Sequence, residues 1–203
     1  MAPRFCDELP FGFGWIAEHP HHLQRASHAL ADDGQVWLVD PIDALELDER
    51  VRVLGQPVGV IQLLDRHARD SVALARRWGV PLHHAPAVGV TGSPFQVLRA
   101  VNLPFWRESA LWWPERKTLV VADALGTASY FLGPGERLAV HPLLRLLPPR
   151  VLGRFEVEHV LCGHGEGVHG DDAAPVVREA LRRSRRGIPR WLAGLARRRD
   201  TVG

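Results

Sequence analysis

Three stretches of the sequence share one arrangement: an apolar run breaks off, and an aspartate or histidine follows at once. They are Leu63-Leu64-Asp65-Arg66-His67-Ala68-Arg69-Asp70-Ser71, Val120-Val121-Ala122-Asp123-Ala124-Leu125-Gly126 and Val160-Leu161-Cys162-Gly163-His164-Gly165-Glu166-Gly167. Imidazole nitrogens and carboxylate oxygens are the ligands of catalytic zinc, and the same groups act as general acids and bases. Loops at the ends of rigid strands are where such groups are commonly assembled into a site. The histidines and aspartates of these three stretches are therefore candidates for metal or acid–base chemistry, although a lone histidine after a strand is more often structural.

The elements that would position these groups alternate between strand and helix. Residues 35–39 form a short apolar run before Asp40-Pro41, as a buried strand would. Residues 50–54 alternate, with Val51 and Val53 facing one way, and read as a half-buried strand. Residues 59–64 are a further strand. Residues 70–78 place Val72, Leu74, Ala75 and Trp78 at helical spacing, with Gly79 as the stop and a new extended segment from Val80. Residues 110–113 and 118–122 flank a four-residue turn and predict a hairpin. Residues 158–162 form a late strand. Asp171 or Asp172 can cap a helix over about 173–185, and Pro189 opens a last helix ending near Arg199.

The composition bounds the class. Of 203 residues, 46% are apolar and 24% charged, with 19 Gly and 16 Pro, which fits one folded α/β domain over 1–203 and excludes coiled-coil, collagen-like and disordered chains. No apolar run approaches the roughly 20 residues of a membrane-spanning helix. Cys6 and Cys162 cannot make a disulfide framework, and residues 1–10 lack the pattern of a signal peptide, so a soluble cytoplasmic protein is expected. Lys117 is the single lysine among 25 basic residues, a bias of the kind a GC-rich bacterial genome imposes. Residues 176–203 carry nine arginines against Glu179 and Asp200, so the helical C-terminal segment 173–203 is basic. It reads as a solvated face or as a nucleic-acid contact over Arg178–Arg199, although no zinc-finger, RNP or helix-turn-helix motif accompanies it.

Taken in order, the segments resemble the metallo-β-lactamase superfamily. Residues 36–41 are similar to its early strand ending in Asp. Residues 59–71 sit where it carries a His-x-His-x-Asp-His signature, followed by a helix and a Gly79-Val80-Pro81 strand. The hairpin ending at Asp123 looks like its strand ending in a metal-bridging Asp, and Cys162 to Glu166 like its final Gly-His-Gly metal histidine. The resemblance covers about residues 10–175. It implies an α/β (α+β) fold, a four-layer αβ/βα sandwich with the site at the edge between two sheets.

The signature departs from the family at several positions. Asp65 stands at the first His, His67 matches the second, Arg69 falls at the Asp and Asp70 at the last His. A further metal histidine is expected near Pro104, yet no histidine lies between His84 and His141, and among carboxylates only Glu108 lies nearby as a substitute. The resemblance then implies His67, Asp123 and His164 as surviving metal ligands, with Asp65 and Asp70 as oxygen donors or a general base and Arg69 among the catalytic positions. One site could come from Asp65, His67 and Asp123, or one from Asp70, Asp123 and His164, holding one divalent metal (Zn, Mn or Fe) or none. Harder cations such as Mn²⁺ gain from the His-to-Asp exchanges. An inward Arg69 would repel a neighbouring cation by roughly 4 kcal/mol per unit charge at 4 Å. It is expected to pair with Asp123 or Asp70 and to fill a metal's place.

Three functional readings follow: an incomplete metal site that binds a small molecule or partner, a mononuclear hydrolase of an ester, thioester, lactone or phosphodiester, and a nucleic-acid-associated protein. No membrane contact is expected, and the oligomeric state is open. Among other residues, His19, His21, His22 and His28 read as a solvated loop and His83-His84 as a strand end. His141 is a loop residue that could approach the site, Trp106, Trp112 and Trp113 are core or rim, and Cys162 is a site neighbour without an evident base.

Overall fold

The computed structural model describes residues 3–17 and 23–200, of which residues 195–200 are described in backbone only. The chain runs β1 (Pro3–Leu9), β2 (Gly12–Ala17), β3 (Ala26–Asp32), β4 (Gln35–Val39), α1 (Leu47–Leu54), β5 (Gln56–Gln62), α2 (Ser71–Trp78) and β6 (Leu82–His84). It continues with β7 (Gln96–Leu103), β8 (Trp106–Trp113), β9 (Thr118–Val121), β10 (Leu125–Gly126), β11 (Ala139–Val140), β12 (His159–Cys162), β13 (Val168–His169), α3 (Ala173–Arg183) and α4 (Ile188–Asp200). One sheet is ordered β1-β2-β3-β4-β5-β6 and the other β13-β12-β9-β8-β7, with β10 and β11 as a small separate pair.

The apolar runs explain the layering. In β4, Val36 and Leu38 join a cluster with Leu47, Val51, Leu74 and Ala75 of the two helices, whereas Trp37 and Val39 join the core shared with the second sheet. A strand covered on both faces needs apolar residues at every position, which is why 36–39 do not alternate. β9 is buried throughout in the same way, and α3 joins the core of the second sheet, packing beside β11 and the 150–154 turn. The result is the expected αβ/βα sandwich. Between the sheets, Phe11 and Phe95 each meet Trp113 edge-on at 5.3 Å, contacts worth about 0.5–1.5 kcal/mol each beyond their buried area. Gly59 permits a close approach here, since a Cβ would lie 2.4 Å from the Trp37 ring.

One element differs in kind from its sequence reading. Residues 50–54 belong to helix α1 and not to a strand. Val51 is fully buried while Val53 is 86% exposed, so the two do not share a face; Leu47 and Val51, four residues apart, make the buried stripe. The hairpin is found with its 114–117 turn, and Gly79 closes α2 in the left-handed conformation with its N–H on the carbonyls of Ala75 and Arg76. Among the described residues no helix is long and apolar enough to cross a membrane.

The sheets are stitched at two places. Beyond β5 the backbone pairs with β8: Asp65 N–H donates to the Arg107 carbonyl at 3.1 Å, and Ser109 N–H to that of Leu63 at 2.9 Å. Before β3 it pairs with the end of β12: Ala26 N–H donates to Gly163 at 2.9 Å, and Gly165 N–H to Gln24 at 2.8 Å. Both seams lie beside the predicted site residues.

The helix assignment of α1 has a direct consequence. Val51→Ser is expected to lower the unfolding free energy by about 2 kcal/mol or more by urea titration, and Val53→Ser to change it by less than about 0.5 kcal/mol. Equal effects would favour the strand reading.

Candidate metal centre

The parallel pairing of β9 with β12 sets Val121 opposite Cys162. Two residues on, the same register brings Asp123 beside His164. Gly163 lets the strand exits close up, because a Cβ there would sit 2.7 Å from the Ala122 carbonyl. His67 arrives from the turn after β5. Its Nε2 is 3.3 Å from Asp123 Oδ1, and His164 Nε2 is 3.2 Å from the same oxygen. The three residues offer ligand atoms that all lie within 4.8 Å of one another.

Each donor is oriented from behind. His164 Nδ1 lies 2.8 Å from the Leu23 carbonyl, so Nδ1 carries a proton and Nε2 is the nitrogen turned toward Asp123. Asp40 approaches the other side of His67, its Oδ2 3.9 Å from Nδ1, while its Oδ1 accepts the Leu63 N–H at 2.8 Å. Burial acts to lower the His67 pKa, but the carboxylates of Asp123 and Asp40 outweigh it and hold it up at about 9. Burial acts to raise that of Asp123, but His164 and His67 hold its carboxyl well below the usual range. Asp123 Oδ1 is buried and makes no hydrogen bond with proper geometry.

Two of the expected ligands, Asp65 and Asp70, lie elsewhere. Asp65 turns Oδ2 to the Arg107 N–H of β8 at 3.2 Å, and Asp70 turns Oδ2 to the Asp43 N–H at 2.8 Å. Neither joins the donor group, so both two-Asp ligand sets give way to one set, His67, Asp123 and His164. The carboxylates are taken by backbone N–H groups because each sits where a neighbouring segment leaves a donor unpaired. Arg69, whose direction the sequence leaves open, points inward, but pairs with neither Asp123 nor Asp70. Its guanidinium donates to the carbonyls of Ala26, Asp40 (2.8 Å) and Gly163 (2.9 Å). Its backbone adopts the left-handed conformation, φ 42°, a strained state for a side chain with a Cβ. Burial lowers its pKa, opposed by the charges of Asp40 and Asp123.

Glu108 has a role that its sequence position alone does not reveal. It is fully buried, and its Oε1 accepts the N–H groups of Ala122 (3.1 Å) and Ala124 (2.8 Å), on either side of Asp123. Its Oε2 accepts the Trp106 indole N–H at 3.0 Å. Burial, reinforced by the charge of Asp123, pushes its pKa up to about 7. Glu108 thus fixes the turn that presents Asp123.

His141 does approach the site. It packs on Trp106 at 4.8 Å and Phe131 at 5.2 Å, and Phe131 lies 5.6 Å from the His164 ring. Burial lowers its pKa to about 4, so the ring is neutral at pH 7. Its Nδ1 accepts the Leu143 N–H, which places its proton on Nε2. The Cys162 thiol is buried and pushed up, which leaves it inert as a nucleophile. His84 caps the Asp65 carbonyl at 3.2 Å, and His83 packs on Trp37. His19, His21 and His22 lie outside the described residues, and His28, read with them as a solvated loop, is instead buried in β3 between β2 and β4. In the basic segment, Arg178 pairs with Glu156, and Arg182 and Arg183 both pair with Glu179.

No protein-family model matches the chain, and no curated protein matches it. Solved structures do. The metallo-β-lactamase FIM-1 from Pseudomonas aeruginosa, in its mono-zinc form, superposes with a TM-score of 0.64 at 10% identity over 91% of this chain and 97% of that one. A metallo-β-lactamase from Pontibacter korlensis gives 0.61 at 11% identity, covering 89% and 99%. The B3 enzyme BLEG-1 gives 0.53 at 16% identity, covering 77% and 94%. The chain has the metallo-β-lactamase fold.

The brace beneath Asp123 can be tested by stability. Glu108→Ala leaves two backbone donors and an indole N–H without their acceptor, and is expected to cost about 3 kcal/mol or more in thermal or urea unfolding. A loss below about 1 kcal/mol would show that Glu108 does not hold the turn.

Proposed function

We propose that the chain is a mononuclear metal-dependent hydrolase whose single divalent cation is held by His67, Asp123 and His164. The observation that carries this reading is the convergence of three donors on one place, with Asp123 Oδ1 buried and lacking a hydrogen bond. Two imidazole nitrogens and a carboxylate are the donor set of a catalytic zinc site with an open position. A cation bound there supplies Lewis acidity and brings water into the range of ionisation near pH 7.

The chain's own residues do the rest. His164 is locked in the ligating tautomer by the Leu23 carbonyl, and Asp40 flanks His67 so that its Nε2 faces Asp123. Glu108 holds the Asp123 turn from below. Arg69 keeps a permanent positive charge behind Asp123 and Asp40, which opposes a second dication in the neighbouring position. His141 offers a neutral N–H donor on the aromatic wall that it forms with Trp106 and Phe131. Substrates with a carbonyl or phosphoryl centre, as esters, thioesters, lactones or phosphodiesters, suit this chemistry, and fold does not choose among them.

The raised pKa of His67 supports a second reading, in which the site is closed by a proton. A protonated His67 pairs with Asp123, and the cleft then binds a small molecule or partner without a metal.

Metal binding separates the two. Dialysed protein titrated with Zn²⁺, Mn²⁺ or Fe²⁺ is expected to retain one equivalent more than the Asp123→Ala variant, with binding at that site weakened more than about 100-fold in the variant. Hydrolysis of a panel of chromogenic esters, thioesters, lactones and phosphodiesters is expected to require the same metal and to be lost with it. Equal metal retention by the two proteins would overturn the hydrolase reading in favour of the closed pair.

A further inference from the structure

Away from the centre just described, β13 pairs antiparallel with β12 so that His159 stands directly opposite His169. Their Nδ1 atoms lie 3.1 Å apart. Two imidazole nitrogens bound at about 2.0–2.1 Å to one metal, at an angle between square and tetrahedral, are separated by roughly 2.9–3.4 Å. The pair is spaced as cis ligands of one ion.

The ring of His169 is fixed from behind. Its Nε2 lies 2.9 Å from Oδ1 of Asp7, a carboxylate buried in the bulge of β1. Asp7 is held in place by the Gly167 N–H at 2.8 Å and by its own left-handed backbone, φ 50°. Its Oδ2 faces His28 Nε2 at 3.5 Å and takes the Cys6 thiol at 3.6 Å. Although burial acts to raise the Asp7 pKa, these donors keep the carboxyl ionised well below the usual range. With Nε2–H of His169 donated to the ionised Asp7, Nδ1 is the nitrogen turned toward His159. Carboxylate, histidine and metal in this order are the arrangement by which proteins orient a ligating imidazole. On the other ring, Phe11 packs edge-on against His159 at 5.6 Å.

We infer that His159 and His169 form a second metal site, a two-imidazole chelate for a late first-row dication. An all-imidazole donor pair ranks Cu²⁺ above Ni²⁺ and Zn²⁺. The remaining coordination positions face solvent and are open to water. None of these donors belongs to the His67–Asp123–His164 group, so the inference stands independently of the proposed hydrolase. A bound ion would cross-link the edge strand β13 to β12 and, through Asp7, both to the first sheet. In its absence the Nδ1–H of His159 occupies the same line, donated to His169.

The test reads the two rings directly. In untagged, ¹⁵N-labelled protein, Zn²⁺ is expected to shift the Nδ1 resonances of His159 and His169 together. The same shift is expected in the Asp123→Ala background, which separates this site from the first. His159→Asn or His169→Asn should weaken the binding at least about tenfold, and Asp7→Asn by about 10–100-fold, as loss of an orienting carboxylate does. Cu²⁺ bound in the Asp123→Ala background should show superhyperfine coupling to two ring nitrogens that His159→Asn removes. Resonances of His159 and His169 that stay unmoved at millimolar Zn²⁺ would overturn the inference in the parent chain itself, whatever the variants do.

Discussion

The guanidinium of Arg69 ties together three carbonyls that belong to both halves of the sandwich: Ala26 at the start of β3, Asp40 beyond β4 and Gly163 beyond β12. A planar cation with donors along two edges can do this, and a lysine ammonium cannot match the same spread of acceptors. The three acceptors flank the donor group, since Asp40 faces His67 and Gly163 precedes His164. Burying the charge is costly, and the neighbouring carboxylates of Asp40 and Asp123 offset that cost. The seam between the sheets and the geometry of the site therefore depend on one buried cation and the two acids beside it.

The same arrangement sets how much further positive charge the centre can take. Two carboxylates against one guanidinium leave room for a proton on His67, which is the condition that its raised pKa describes. On the proposed reading, a single dication would take the place of that proton at Asp123, with His67 and His164 as its other ligands. A second dication would stand against Arg69 in a poorly screened site, where repulsion of several kcal/mol is expected. Proton and metal would thus compete for one oxygen, Asp123 Oδ1, whose turn Glu108 holds from beneath with Trp106 behind it.

Much of this was legible in the sequence where side-chain type and strand register coincide. The runs ending at Asp123 and His164 are both strand exits, and their parallel pairing brings the two residues together once the fold is known. His67 follows in the same way from β5. What the sequence does not carry is the direction of side chains on a tight turn. Asp65, Arg69 and Asp70 lie within four residues of His67, yet the carboxylates turn to backbone N–H groups while the guanidinium turns inward from a left-handed residue. Glu108 is noticed in the sequence as a carboxylate near the missing histidine, but its bracing role is hidden for a different reason. An acid between Arg107 and Ser109 reads as a polar strand position, and only the packing of β8 under the Ala122–Ala124 turn shows it as a buried brace. Residues 50–54 show the opposite failure, since Val51 and Val53 alternate by accident inside a helix whose stripe begins at Leu47.

The central claim is that two imidazoles and one carboxylate of this chain hold a single cation. X-ray absorption at the zinc edge, on His159→Asn protein loaded with one equivalent of Zn²⁺, tests it most directly. The account predicts two imidazole shells and light-atom scattering near 2.0–2.1 Å, no metal–metal vector, and loss of one imidazole in a further His164→Ala change. A zinc–zinc vector, or a ligand shell that His164→Ala leaves unchanged, would contradict it.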